Sequence, residues 1–182
     1  MSLWSLPKAH SIGGTVYDIN TDYRDILEII QYLTDESRPE FIRWQIAVSL
    51  FYNQDIPDSC MQEAMEYIAE FIAVDRRDKA PGPKLLDWEQ DAHIIISDIN
   101  KVAGKEIRSV DYLHWWTFVS LFSGIGEGQL STVVSIRHKK ATGKKLEKWE
   151  QEFYREHKSV IDFHKSKTPE DEAVKAYFEK WL

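Results

Sequence analysis

Cysteine is nearly absent from this 182-residue sequence, and so are long apolar runs. The one cysteine, Cys60, excludes an internal disulfide and a zinc site built from several thiolates. No apolar run approaches the roughly 20 residues that span a bilayer, and the first residues lack the basic and apolar segments of a signal peptide. We therefore expect a protein of the cytoplasm that does not enter a membrane.

The composition is that of a folded protein, because 43% of the residues are hydrophobic and 29% are charged. A chain of 182 residues can bury a core as one unit, so we predict a single domain over residues 1–182. Aromatic residues make up 13% of the chain and include seven tryptophans. This share predicts either a core of large side chains or an apolar surface that serves a partner.

Acidic residues are concentrated in the first half of the chain. Residues 1–90 hold 16 Asp and Glu against 8 Lys and Arg, whereas residues 91–182 hold 14 against 15. This distribution argues against general nucleic-acid binding, which depends on neutralising phosphates. It suits a basic protein partner, although solubility would explain it equally well. The basic cluster between Arg137 and Lys148 could contact an acidic partner or nucleic acid, but a solvated helix face is the simpler interpretation.

The spacing of apolar residues predicts a mainly α, multi-helix globular domain with a short N-terminal β-hairpin. Gly13 and Gly14 suit the tight turn of a hairpin over residues 11–19. Ser37 to Glu40 fits a capping box, and apolar residues surround nearly all of the helix that follows, so we expect this helix at the centre of the core. Helical spacing predicts helices at about residues 22–33, 38–52, 61–74, 86–102, 111–122, 130–137, 145–162 and 168–182.

The clearest interruption of this pattern lies at residues 75–84, where charged residues precede Pro81, Gly82 and Pro83. Such a stretch could be a domain boundary. Only about 75 to 100 residues flank it on either side, so we favour a mobile loop inside one domain.

No set of residues has the spacing of an active site. Glu89 and His93 lie four residues apart on a predicted helix, but they supply too few ligands for a metal. The glycine-rich segment 123–128 follows a helix rather than a strand, so we interpret it as a turn and not as a phosphate-binding loop. His114, beside two tryptophans, fits a core histidine with a hydrogen-bonded ring. We therefore expect no enzymatic activity, no metal and no cofactor.

Several strings of residues, in a fixed order, carry a resemblance to a known family. The strings are Ile12 to Arg24, Asp87-Trp88-Glu89-Gln90-Asp91-Ala92, Ile107-Arg108, Leu113-His114-Trp115-Trp116-Thr117-Phe118 and Ile136-Arg137-His138-Lys139. In this order the chain resembles the bacteriophage gene-product-fifteen proteins of siphophages and prophages of Gram-positive bacteria. The resemblance covers most of the chain.

The resemblance implies a function that the composition does not. Members are encoded just before the tape-measure protein, which implies a tail-morphogenesis protein of the host bacterial cytoplasm. It would act as a non-enzymatic assembly chaperone that binds the tape-measure or tail-tube protein, and its oligomeric state stays open. A structural virion component, such as a tail completion or connector protein, is the alternative. The family brings no catalytic residue, so we expect structural roles for the motif residues Asp87, Trp88, Glu89, Gln90, Asp91, His114, Trp115, Trp116, Phe118 and Arg137.

Overall fold

The computed structural model describes residues 5–74 and 82–164, which are mainly helical and form two compact units. The first unit holds the described residues up to Gly82 together with Ile94–Gly128. The second unit holds Pro83–His93 together with the described residues from Gln129 onward. The predicted fold class is confirmed, whereas a single domain over residues 1–182 stays a prediction. Residues 75–81 of the predicted loop, and the helix predicted at 168–182, lie outside the described residues.

The first unit begins with the predicted hairpin. Its strands are β1, Ala9–Ile12, and β2, Thr15–Asp18, which pair antiparallel with Ile12 opposite Thr15. Gly13 and Gly14 connect them with φ angles of 55° and 83°. A two-residue turn with two positive φ angles matches the twist of the strands, and glycine adopts those angles without strain. The Gly13 amide also donates to the carboxylate of Glu63 at 3.2 Å.

Three helices follow the hairpin: α1, Tyr23–Thr34; α2, Glu40–Phe51; and α3, Met61–Ala73, which a short 3-10 turn at Asp58–Cys60 precedes. Asp22 caps α1, since its side chain accepts a hydrogen bond from the amide of Arg24. The capping box expected before α2 is wrong, because Pro39 occupies the N-cap position and the Ser37 hydroxyl donates to Asp35 instead.

The expected burial of the whole of α2 is also wrong. Only its C-terminal half is buried, through Ala47, Val48 and Phe51, whereas Phe41 in its first turn is 64% exposed. The helix is therefore a core helix at one end and a surface helix at the other.

Two later helices begin further along the chain than their apolar spacing predicts. They are α4, Ala92–Ala103, which belongs to the first unit from Ile94 onward, and α5, Trp115–Ser123. Turns occupy residues 88–91 ahead of α4, where the Asp87 side chain accepts from the amides of residues 89 and 90. The predicted stop of α4 at Gly104, which has a φ of 66°, is confirmed.

The second unit contains α6, Gln129–Ala141; α7, Lys148–Glu156; and α8, Lys158–Ile161. The prediction of a single helix over residues 145–162 is wrong, since the helical conformation is interrupted at His157, between α7 and α8. Helix α7 begins at a capping box in which Glu147 and Glu150 each accept from the other's backbone amide. No described helix is long and apolar enough to cross a membrane.

Aromatic rings fill the core of the first unit, which is one of the two alternatives that the composition predicts. Phe51 lies edge-on to Phe71 with ring centroids 5.2 Å apart, and Tyr23 stacks on Phe118 at 4.7 Å. All four side chains are buried. Such pairs stabilise a fold by about 0.5–1.5 kcal/mol each beyond the area that they bury.

Candidate functional site

A buried ion pair joins two of the motif residues in the second unit. The Arg137 guanidinium donates to both carboxylate oxygens of Asp91 at 2.6 and 2.8 Å, and the two residues are only 4% and 1% exposed. Three carbonyl oxygens accept its remaining hydrogen bonds, those of Leu85, Val160 and Ile161, at 2.7–3.0 Å. Every donor direction of the guanidinium is therefore used inside the protein, and none is left for a ligand.

The neighbouring motif residues hold the same unit together. The Asp87 amide donates to Asp91 at 2.9 Å, which closes the turn before α4. The Gln90 amide group donates to the carbonyls of Val160 and Asp162 and accepts from the backbone of His164. Trp88 is half-buried and Glu89 is exposed. The structure thus brings Asp87, Gln90, Asp91 and Arg137 together, and these contacts connect chain segments rather than form a cleft.

The remaining motif residues lie in the first unit at the start of α5. His114 is buried and its ring is hydrogen-bonded, as predicted. Nδ1 accepts from the Trp116 amide at 3.0 Å and so caps the helix, and Nε2 donates to the Pro7 carbonyl at 3.0 Å. Burial lowers the pKa of His114, since a charged ring would lose its hydration there, although the bond to Pro7 opposes this effect. Both nitrogens are engaged, which leaves neither for a metal or for proton transfer.

The two tryptophans of this motif attach α5 to the end of α3. The indole nitrogens of Trp115 and Trp116 donate to the carbonyls of Ile72 and Phe71 at 3.2 and 3.1 Å. These carbonyls belong to the last turn of α3, where no amide within the helix can reach them. The tryptophans therefore satisfy polar groups at a helix end, and Phe118 packs behind them in the core.

The glycine-rich segment between α5 and α6 is a turn, as predicted. A Cβ added at Gly128 would approach a carboxylate oxygen of Asp98 to 2.8 Å, so a larger residue there would require the Asp98 side chain to move. Asp98 is 3% exposed and pairs with Lys101 at 2.6 Å. A carboxylate against the segment repels a phosphate, which disfavours a phosphate-binding role there.

Half of the basic cluster forms ion pairs with carboxylates of the second unit. Besides Arg137, Lys139 pairs with Glu150 at 2.7 Å and Lys140 pairs with Asp162. Three further lysines of the cluster, at positions 144, 145 and 148, are exposed, and so are Glu147 and Glu152 in the same stretch of the chain. The exposed charge of this stretch is therefore mixed among the described residues. In residues 5–74 and 82–164, no group of three or more His, Cys, Asp or Glu could hold a metal ion.

An open apolar groove lies in the first unit between α2 and the start of α3. We call it the α2–α3 groove; its volume is about 290 Å³, and it is lined by Phe41, Trp44, Gln45, Asp58, Met61 and Met65. Four of these six side chains are large and apolar. Such a surface costs free energy when it faces water, so it favours occupation by another apolar surface.

The chain segment that carries the α2–α3 groove is acidic. Residues 35–70 hold eight Asp and Glu against two Arg, a net charge of −6. Arg38 pairs with Asp35 at 2.9 Å, and the Arg43 guanidinium donates to a carbonyl at 2.7 Å. The exposed carboxylates of Glu36, Glu40, Asp55 and Asp58 have no ion pair in the part of the chain that the structure describes. The groove therefore combines an apolar floor with one lining carboxylate, that of Asp58, which has no ion pair among the described residues.

Comparison with protein families gives a match over most of the chain. The family model described as Bacteriophage Gp15 protein matches residues 4–163, which is most of the chain. The chain belongs to this family. No curated protein and no solved structure matches the Gp15 chain significantly.

Membership confirms the resemblance that the motifs carry, whereas a structural role for the motif residues stays a prediction. In this Gp15 chain they form two separate sets, one around Arg137 and Asp91 and one around His114, each inside its own unit. The α2–α3 groove contains no residue of the Asp87 to Asp91 or Leu113 to Phe118 strings. Sequence reasoning did not locate the groove, because the apolar pattern around α2 predicted burial in the core, whereas Phe41 is 64% exposed.

Proposed function

We propose that this phage protein acts in tail morphogenesis as a non-enzymatic assembly chaperone that binds the tape-measure protein. The observation that carries the proposal is the α2–α3 groove, an exposed apolar surface in a protein in which Arg137, Asp91 and His114 form their hydrogen bonds within its own fold. A chaperone needs such a surface to cover apolar faces of a client before the client assembles.

The charge of the first unit supports the same function. An acidic rim raises the encounter rate with basic client segments and disfavours acidic ones. The family resemblance supplies the identity of the client, because it implies a gene that precedes the gene for the tape-measure protein. A groove alone would not distinguish this client from other helical proteins.

Co-expression tests the proposal directly. The full chain and the tape-measure protein of the same phage are produced together and separately, and the soluble fraction of the tape-measure protein is measured. We expect the tape-measure protein to be soluble and to co-purify only when the Gp15 chain is present. An equal soluble fraction with and without it, and no co-purification, would refute the proposal.

A structural role in the virion is the alternative to a chaperone role, and quantitative mass spectrometry of purified particles separates the two. A chaperone leaves its client when tail-tube subunits polymerise, so we expect the chain to be absent from mature particles. Its presence in stoichiometric amounts would favour a tail completion or connector protein.

A further inference from the structure

We propose that the α2–α3 groove receives one face of an amphipathic α-helix that carries Lys or Arg beside its apolar stripe. The inference rests on the proposed function only in assigning this helix to the client. It names the secondary structure, the charge and the anchoring residues of the partner segment, and each follows from a separate feature of the groove.

The walls of the groove indicate a helical occupant. Its lining positions are 41, 44 and 45 on α2 and 58, 61 and 65 along the start of α3, so each wall is a stripe of residues three or four apart. A strand would need a row of unpaired backbone groups along the groove, whereas helical walls leave at most the amides of their first turn without a partner inside the helix. A helix satisfies its own backbone and presents only side chains, which makes it the segment that two helical walls can receive.

The lining side chains suit large apolar anchors. Phe41 and Trp44 offer aromatic faces, which commonly carry much of the binding energy at interfaces. Met61 and Met65 stand opposite them on the second wall; methionine is flexible and polarisable, so it adapts to anchors of different shape. We therefore expect the groove to accept leucine, isoleucine or phenylalanine at helical spacing rather than one fixed sequence.

The charge of the rim determines which helices bind. Asp58 lines the groove itself, and Glu40 precedes Phe41 in the first turn of α2. Both side chains are exposed and have no ion pair among the described residues. A helix with Lys or Arg beside its apolar stripe would gain these partners, whereas one with Glu or Asp there would be repelled.

The test uses the full chain and a dye-labelled synthetic peptide of about 18 residues, long enough to form a helix. It has Leu at positions i, i+3, i+4 and i+7 and Lys beside them, and a second peptide has Glu in place of every Lys. Fluorescence anisotropy gives the Kd of each. We expect the Lys peptide to bind at least about tenfold more tightly than the Glu peptide at low salt. The ratio of the two Kd values should fall towards one as the ionic strength rises.

Two variants of the groove and two matched controls locate the binding. Phe41→Ala should weaken binding of the Lys peptide by about tenfold or more. Trp149→Ala truncates another exposed aromatic side chain, in the second unit, and should leave the Kd of the Lys peptide unchanged. Asp58→Lys should remove most of the preference for the Lys peptide, and Glu152→Lys in the second unit should preserve it. Circular dichroism confirms that each variant is folded.

Three results would overturn the inference. Equal or tighter binding of the Glu peptide would contradict the preference for a basic helix. Equal effects of Phe41→Ala and Trp149→Ala on the Kd would contradict binding in the α2–α3 groove. A dimer of the protein alone that Phe41→Ala dissociates, measured by sedimentation, shows that a second copy occupies the groove.

The same variants separate this inference from the proposed function. If the tape-measure protein co-purifies equally well with the Phe41→Ala variant, the client uses another surface, and the proposed function stands without this groove. If the Lys peptide binds as expected but the tape-measure protein never co-purifies, the chemistry of the groove stands and the proposed function fails.

Discussion

Arg137→Met removes the guanidinium that joins α6 to the segments on either side of it, while it keeps an apolar chain of similar reach. The substitution leaves the Asp91 carboxylate, which is 1% exposed, without its ion partner. It also leaves the carbonyls of Leu85, Val160 and Ile161 without their donor. Breaking a buried pair from one side costs about 3–5 kcal/mol, because a charge stays buried without compensation.

Urea unfolding measures this loss. With a urea m value of about 2 kcal/mol/M, the expected cost lowers the midpoint by roughly 1.5–2.5 M. Hydrogen exchange followed by mass spectrometry should show faster exchange in peptides from residues 83–93 and 158–164, where the lost contacts lie. The matched control is Arg155→Met on α7, since Arg155 is exposed and its side chain has no ion pair among the described residues. Its effect should stay within about 1 kcal/mol.

A double variant tests whether the cost comes from the unpaired charge. Adding Asp91→Asn to Arg137→Met removes the buried charge and keeps an acceptor for the Asp87 amide. We expect the double variant to lose less free energy of unfolding than the two single losses added together, by 1 kcal/mol or more, about the coupling of groups in contact. A loss for Arg137→Met no larger than that for Arg155→Met, or strict additivity, would refute the reasoning.

Three further predictions concern stability. Because burial lowers the pKa of His114 below 6.5 in the folded state, the unfolded state takes up the proton first as the pH falls. Stability should therefore fall below about pH 6.5, by at most about 1.4 kcal/mol per pH unit, and His114→Asn should flatten this slope in urea titrations between pH 7 and 5. The ion pair with Lys139 lowers the pKa of Glu150 in the folded state. The stability that this ion pair contributes is therefore lost as the pH falls below 4.5, where the unfolded state takes up the proton first. Glu150→Gln should remove that acid dependence and leave the His114 slope unchanged. Phe51→Ala empties a fully buried site and should cost about 3–5 kcal/mol in thermal or urea unfolding, whereas a smaller loss would mean that the core closes over the cavity.

Elements with local signals were predictable from the sequence. The hairpin follows from two adjacent glycines, and the start of α1 follows from Asp22, whose side chain bonds the amide two residues later. The later start of α4 was not predictable from apolar spacing, because a network of side-chain to backbone bonds among Asp87, Gln90 and Asp91 stabilises turns there instead. His114 shortens α5 in the same way, since histidine is an uncommon cap and gives no pattern to read.

Long-range pairs were predictable only as members of a motif. Asp91 and Arg137 lie 46 residues apart, and neither spacing nor charge order links them in the sequence. The motif indicated that both residues belong to the family pattern. Their burial and their bidentate geometry depend on how three segments of the second unit come together, which is a property of tertiary packing.

The one prediction about burial that was wrong concerns α2, and the error has a physical reason. An apolar residue contributes the same pattern whether it faces a core or a partner, so a helix that is apolar all round appears fully buried. In the free chain the C-terminal half of α2 is buried by the fold, and Phe41 in its first turn is not. If a basic amphipathic helix occupies the α2–α3 groove as proposed, that first turn becomes buried as well. The apolar pattern of α2 would then describe the complex, and the exposed end of the helix in the free chain would mark the surface that the partner covers.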